Sequence, residues 1–163
     1  MVRDQSVDPE RGVDSTEASP NDGSRILLVT QVFPPAIGGS AVLFENIYSR
    51  IAGRVVVLTD GTGSRPAGRL AANGLEIVRQ PIAWNDWGIL SARGFRHYRR
   101  VASAISALRP GPPGIVHCAR AVPEGLAALL ASRRRAFRYL CWTLGEEVDY
   151  AMTSRELTFT SVP

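Results

Sequence analysis

Apolar positions along the chain follow two rhythms. "RILLVT" from Arg25 and "RVVVLTD" from Arg54 are short unbroken apolar runs, the pattern of strands covered on both faces. "GLEIVRQ" adds a weaker strand, and "GIVHCA" and "AFRYLCWTL" add two more. Between them the period lengthens. In "SAVLFENIYSRIAG", Val42, Leu43, Ile47 and Ile51 recur at helical spacing, with Ser40 as N-cap and Gly53 as stop. In "RGFRHYRRVASAISALRP", Phe95, Tyr98, Val101, Ala102, Ile105 and Leu108 share a face, and Pro110 ends the helix. "PEGLAALLASRR" predicts a helix with Pro123 in its first turn, and "SRELTF" starts another and stops. "DGTGSRPAGRLAANG" reads as loop. The order β-α-β-β-α-β-α-β-α predicts an α/β fold: a Rossmann-like, doubly wound, mostly parallel sheet over residues 25–163.

Residues 1–24 stand apart. They are polar and free of aromatics, and two arginines against six acids leave them at net −4. Such a segment buries too little to offset the entropy of ordering, and is expected to be a disordered acidic tail. With a total of +4, the remaining chain carries +8. Every basic residue is Arg, whose planar fork suits phosphate and carboxylate; a GC-rich coding sequence gives the same bias. Arg93, Arg96, Arg99 and Arg100 form one cluster, and Arg133, Arg134, Arg135 and Arg138 another. Each reads either as a solvated face or as a contact to anionic membrane. Aromatics do not interleave with the arginines as a stacking platform requires, so no nucleic-acid partner is expected.

No stretch reaches the roughly 20 apolar residues of a membrane span, and the amino terminus lacks an apolar leader. A cytoplasmic location follows as the expectation, at most peripheral to the inner face of the membrane. Cys118 and Cys141 lie in apolar runs without metal spacing or a CxxC motif, and are expected to be buried free thiols; no metal site is expected.

The candidate chemistry begins at "TQVFPPAIGGSA". Pro34-Pro35 would hold this loop extended and rigid. Gly38-Gly39 then falls directly between the first strand and the first helix. In open parallel sheets ligands bind at the carboxyl ends of strands, near the reversal of strand order. Glycine there lets a ligand approach the backbone, and a helix start favours an anion. The alternative is a tight connection needing a positive φ. The pattern is neither GxGxxG nor a P-loop. His117 ends a strand, where ligand-facing groups collect or where a structural histidine packs. Trp142, Trp84 and Trp87 read either as groove lining or as packing.

"VFPPAIGGSA", "IVHCARAVPEGLAALLASRR" and "YLCWTLGEEVDYAMTSREL" together resemble family 4 retaining glycosyltransferases of the GT-B group, over about Arg25 to Leu157. The resemblance implies the amino-terminal, acceptor-side domain of an enzyme that moves a sugar from a nucleotide-sugar to a hydroxyl. It implies no metal and no resident cofactor, the nucleotide-sugar being the donor substrate. It places Gly38, Gly39 and Ser40 in the loop near donor phosphates and acceptor. It also makes His117, Glu146 and Glu147 candidates for acceptor contacts; the two glutamates read equally as the cap and charge of a following helix start. Leu144 stands where the family carries a histidine facing the reacting sugar, so the catalytic residues stay unknown. The family's Glu-x7-Glu motif and second domain are missing. The expectation is an amino-terminal fragment inactive alone, or an accessory module that pairs with a separate carboxyl-terminal half. A sugar or lipid-linked molecule is the implied acceptor.

Overall fold

The computed structural model describes residues 25–51, 53–61, 67–83, 91–108 and 114–145. The acidic tail, Trp84, Trp87, Glu146, Glu147 and "SRELTF" lie outside the described residues. Among the described residues, strands β1 (Ile26–Val29), β2 (Val55–Asp60), β3 (Gly68–Ala72), β4 (Leu75–Gln80), β5 (Ile115–Cys118) and β6 (Arg138–Cys141) form one sheet in the order β3-β4-β2-β1-β5-β6. All neighbours run parallel except β3 and β4. Strand order reverses at β1, between β2 and β5.

The unbroken apolar runs are split between two cores. Leu27, Val29, Leu58, Val78 and Val116 pack with Tyr98, Val101 and Ile105 of α2 (Ala92–Leu108) and Ala127, Ala128 and Ala131 of α3 (Leu126–Ser132). Leu28, Val55, Val57, Leu75 and Ile77 pack on the other face with Phe44 and Tyr48 of α1 (Gly39–Tyr48). The sheet is therefore doubly wound, as its sequence pattern requires.

Several expectations are corrected. The buried face of α1 is Ala41, Phe44 and Tyr48, while Val42, Leu43 and Ile51 are largely exposed. The aromatics win because each buries more apolar area than a neighbouring aliphatic, and Phe44 meets Trp142 edge-on at 5.9 Å. Gly38, not Ser40, is the N-cap of α1; its carbonyl accepts the first helical bond from Val42 N–H at 3.1 Å.

Part of the expected loop after β2 is strand β3. Asn73 (φ 51°) and Gly74 (φ 74°) form the two-residue turn of a hairpin. All of β3 but Ala72 is exposed, so it has no apolar alternation to read. Pro34-Pro35 makes a tight turn rather than an extended segment, closed by Ala36 N–H to the Phe33 carbonyl at 3.1 Å. Buried Arg79 holds this turn, donating to the Pro34 carbonyl (2.6 Å) and the Asp60 carbonyl (3.3 Å).

In α2, Gly94 occupies the buried position instead of Phe95, and Ser91 Oγ caps the helix by accepting Gly94 N–H at 2.9 Å. Phe95 lies exposed, with the Arg99 guanidinium 5.9 Å from its ring centre. Pro123 precedes α3, within a wide turn (Ala121–Gly125) that carries Glu124 into the interior. Cys118 is a buried free thiol as expected. Its register partner Cys141 is free but exposed, because β6 is an edge strand.

Candidate functional site

Where β1 and β5 end, their connections diverge and leave a cleft of about 500 Å³. It is lined by Thr30, Val32, Ile37, Gly38, Gly39, Ser40, Leu43, Ala119, Arg120 and Leu144. This is the topological position at which doubly wound sheets bind ligands.

The structure brings Gly38, Gly39 and Ser40 together on one wall. Neither glycine lies in the left-handed region: Gly38 is extended, at φ 173°. The tight-connection reading of this pair therefore fails. A Cβ on Gly39 would meet nothing within 4 Å, and one on Gly38 would reach only Val32 Cγ1 at 3.8 Å. The glycines leave open space above the first turn of α1. That turn contains no acid and has no side-chain cap. Its N–H groups and its dipole suit an anion.

Arg120 also lines the cleft, two residues past the end of β5. Its guanidinium lies 3.3 Å from Glu124 Oε1, and the same oxygen accepts Gln31 N–H at 3.1 Å. Glu124 is buried, and that burial pushes its carboxyl above the ordinary range, with Arg120 and the Gln31 N–H opposing. Sequence reading missed both residues. Their signal was positional: a basic residue just past a strand next to the reversal point, with an acid four residues on.

Leu144 lines the cleft with an apolar side chain where a histidine was expected from resemblance. Val32, Ile37, Leu43 and Ala119 also line it, so apolar side chains stand among the glycines, Thr30, Ser40 and Arg120.

His117 does not line the cleft. It lies on the α1 side of the sheet, where Tyr48 Oη sits 2.6 Å from its Nδ1. Trp142 Nε1 donates to the same hydroxyl at 3.2 Å. An indole only donates, so the Tyr48 oxygen accepts from Trp142, and its own proton is left free to bond His117 Nδ1 when that nitrogen is unprotonated. Burial pushes the His117 imidazole down, which keeps it neutral and able to accept, and it pushes the Tyr48 phenol up to about 12. Trp142 is thus part of the packing beneath the cleft. A second, mostly apolar groove of about 430 Å³ runs between the Pro34-Pro35 turn and the β3–β4 hairpin, over Phe33, Leu70 and Leu75.

No protein-family profile matches this chain. No curated protein matches it either. Among solved structures it is similar to sucrose-phosphate synthase from Thermosynechococcus elongatus, with a TM-score of 0.56 and 17% identity over 82% of this chain. The match spans 36% of the length of that chain. At this identity the likeness is one of fold. The chain has a Rossmann-like, doubly wound, mostly parallel α/β fold, similar to that of part of the sucrose-phosphate synthase chain.

Proposed function

We propose that this domain is the acceptor-side half of a glycosyltransferase of the retaining, nucleotide-sugar-dependent type. The observation that carries the reading is the cleft at the strand reversal, lined both by the bare helix-start amides and by Arg120. Two such anion-favouring elements in one cleft suit a diphosphate, and its volume accommodates a sugar. The donor is a nucleotide-sugar whose phosphates approach Gly39 and Ser40. The acceptor offers a hydroxyl from the Leu43 and Leu144 side. The Leu144 side chain can neither donate nor accept a hydrogen bond, and an Arg120 paired with Glu124 is a modest electrostatic catalyst. The groups that stabilise the leaving diphosphate therefore come from a second domain facing this cleft.

A chemical-shift titration of the labelled protein with uridine diphosphate tests this. The amides of Gly39, Ser40 and Arg120 are expected to move together, and Arg120→Gln to weaken the effect by about tenfold, as for loss of a charge-assisted bond. Shifts scattered elsewhere, with these three silent, overturn the reading. With nucleotide-sugar and acceptor, the 163-residue protein alone is expected to transfer no sugar.

Leu144 favours one further reading: a binding module that has given up catalysis and serves a separate catalytic half. Restoration of transfer on mixing with a donor-binding domain supports the enzyme-half reading. Ligand binding without transfer in any such mixture supports the module. Exposed Arg93, Arg96, Arg99 and Arg100 on α2, and exposed Arg133, Arg134, Arg135 and Arg138 about the end of α3, support a peripheral contact with anionic lipid. No described helix is long and apolar enough to cross a membrane.

A further inference from the structure

Among the described residues Glu124 is the only buried acid, and its two oxygens face different surroundings. Oε1 is shared by the Gln31 N–H and the Arg120 guanidinium. Oε2 is buried without a hydrogen-bond partner, and so is the side-chain nitrogen of Gln31. Gln31 and Glu124 line a small recess of about 10 Å³ with Ile82, His97, Val101 and Pro123, at the α2 side of the sheet. That is about the volume of one water. The carboxylate therefore stands in the partition between the cleft and this recess, and its cation is the same arginine that lines the cleft.

We infer that the cleft takes up an anion together with one proton, and that the proton goes to Glu124. The inference rests on the reading of the cleft as an anion site. An anion entering beside Arg120 draws on the guanidinium that neutralises Glu124. Two negative charges within several ångströms then share one cation and repel one another. The ligand keeps its charge because it remains partly in water. The buried carboxylate is the group that gives way, as an ionised acid without a close cation does in an apolar setting.

The direction in which burial already moves this carboxyl agrees. A proton on Oε2 also turns an unpaired acceptor into a donor facing the recess. No covalent bond changes: one anion and one solvent proton enter together.

The groups facing Glu124 do not supply this proton linkage themselves. Arg120 stays charged throughout. The thiols of Cys118 on β5 and Cys141 on β6 are both pushed up, so they stay neutral. His97 on α2 is pushed down by burial and then by Arg100. Gln31, past β1, does not titrate.

Sulfate is the probe, since it keeps its charge from about pH 5 to about pH 8 while the carboxyl and imidazole groups titrate. Its affinity is read from the amide shifts of Gly39 and Ser40. In the unmutated protein, affinity is expected to weaken by up to about tenfold per pH unit above the Glu124 transition. About one proton should be taken up per sulfate bound in unbuffered solution. Glu124→Gln should give a flat profile, and His97→Gln should keep the slope. Binding without proton uptake overturns the inference, as does a slope that survives Glu124→Gln or vanishes in His97→Gln. These outcomes leave the anion site standing. Failure of sulfate to bind at every pH overturns the anion site, and this inference with it.

Discussion

At the scale of single residues, two glycines make opposite predictions. Gly39 stands at the first position of α1 with open space above it. Alanine is the better helix former by up to about 1 kcal/mol, so Gly39→Ala should leave the unfolding midpoint unchanged or raise it. The added methyl nonetheless projects into the cleft, and uridine diphosphate binding should fall. A variant that is as stable and binds as well removes the close-approach argument for this loop. Gly125 is tightly enclosed instead. A Cβ there would lie 2.5 Å from Cys141 Sγ and 3.2 Å from the Arg120 carbonyl oxygen. Gly125→Ala should cost about 1–3 kcal/mol in urea unfolding, as overpacking does. Combining it with Cys141→Ala should recover part of that loss, because the nearer clash is removed. The Arg120 oxygen remains, so full recovery would place the strain elsewhere.

At the scale of elements, the β3–β4 hairpin depends on its turn. Asn73 and Gly74 both adopt left-handed backbone, and the Asn73 side chain donates to Glu45 Oε1 on α1 at 2.9 Å. Gly74→Val should cost about 1–2 kcal/mol, since a branched side chain resists this conformation. Its measurement is the thermal midpoint. An unchanged midpoint would mean that the hairpin forms no part of the cooperative unit. The same hairpin shows what the sequence makes readable. β1 and most of β2 and β5 are apolar because both faces of the sheet are covered there, and such runs are legible. β3 is held by backbone bonds to β4 and by the Arg69–Glu76 ion pair at 3.0 Å, which leave no apolar rhythm. Its trace lay in "NG" alone, a strong turn signal inside a polar stretch. For α1, the helix was legible but its face was not, because Val42 and Leu43 compete with Phe44 and Tyr48 for the same periodicity. The glycine half of the cleft followed from its place between strand and helix. Arg120 and Glu124 did not, because their meeting depends on the path of the wide turn before α3.

At the scale of the molecule, the two cores share a weakness toward acid. His97 lies in α2 and His117 faces α1, so each side of the sheet holds one imidazole pushed below its ordinary value of 6.5, chiefly by burial. For each, the unfolded chain binds a proton first as pH falls below about 6.5. The stability each contributes is complete above that pH and is lost as pH falls toward the folded value. Glu124 acts in the opposite sense. Its folded value is raised above 4.5, so its contribution is present at low pH and lost as pH rises through the raised value. The ordinary imidazole value of 6.5 lies inside the window from about pH 7.5 to about pH 5.5, so the two histidine linkages set the expected sign there. The urea midpoint should fall on acidification from about pH 7.5 to about pH 5.5, less steeply than two free histidine linkages would give. His97→Gln and His117→Gln should each flatten the profile, and Glu124→Gln should steepen it by removing the opposing group. A midpoint that rises on acidification would mean that Glu124 outweighs both imidazoles. The protonation of the carboxyl beside the cleft would then dominate the stability of the whole domain as well as its affinity for anions.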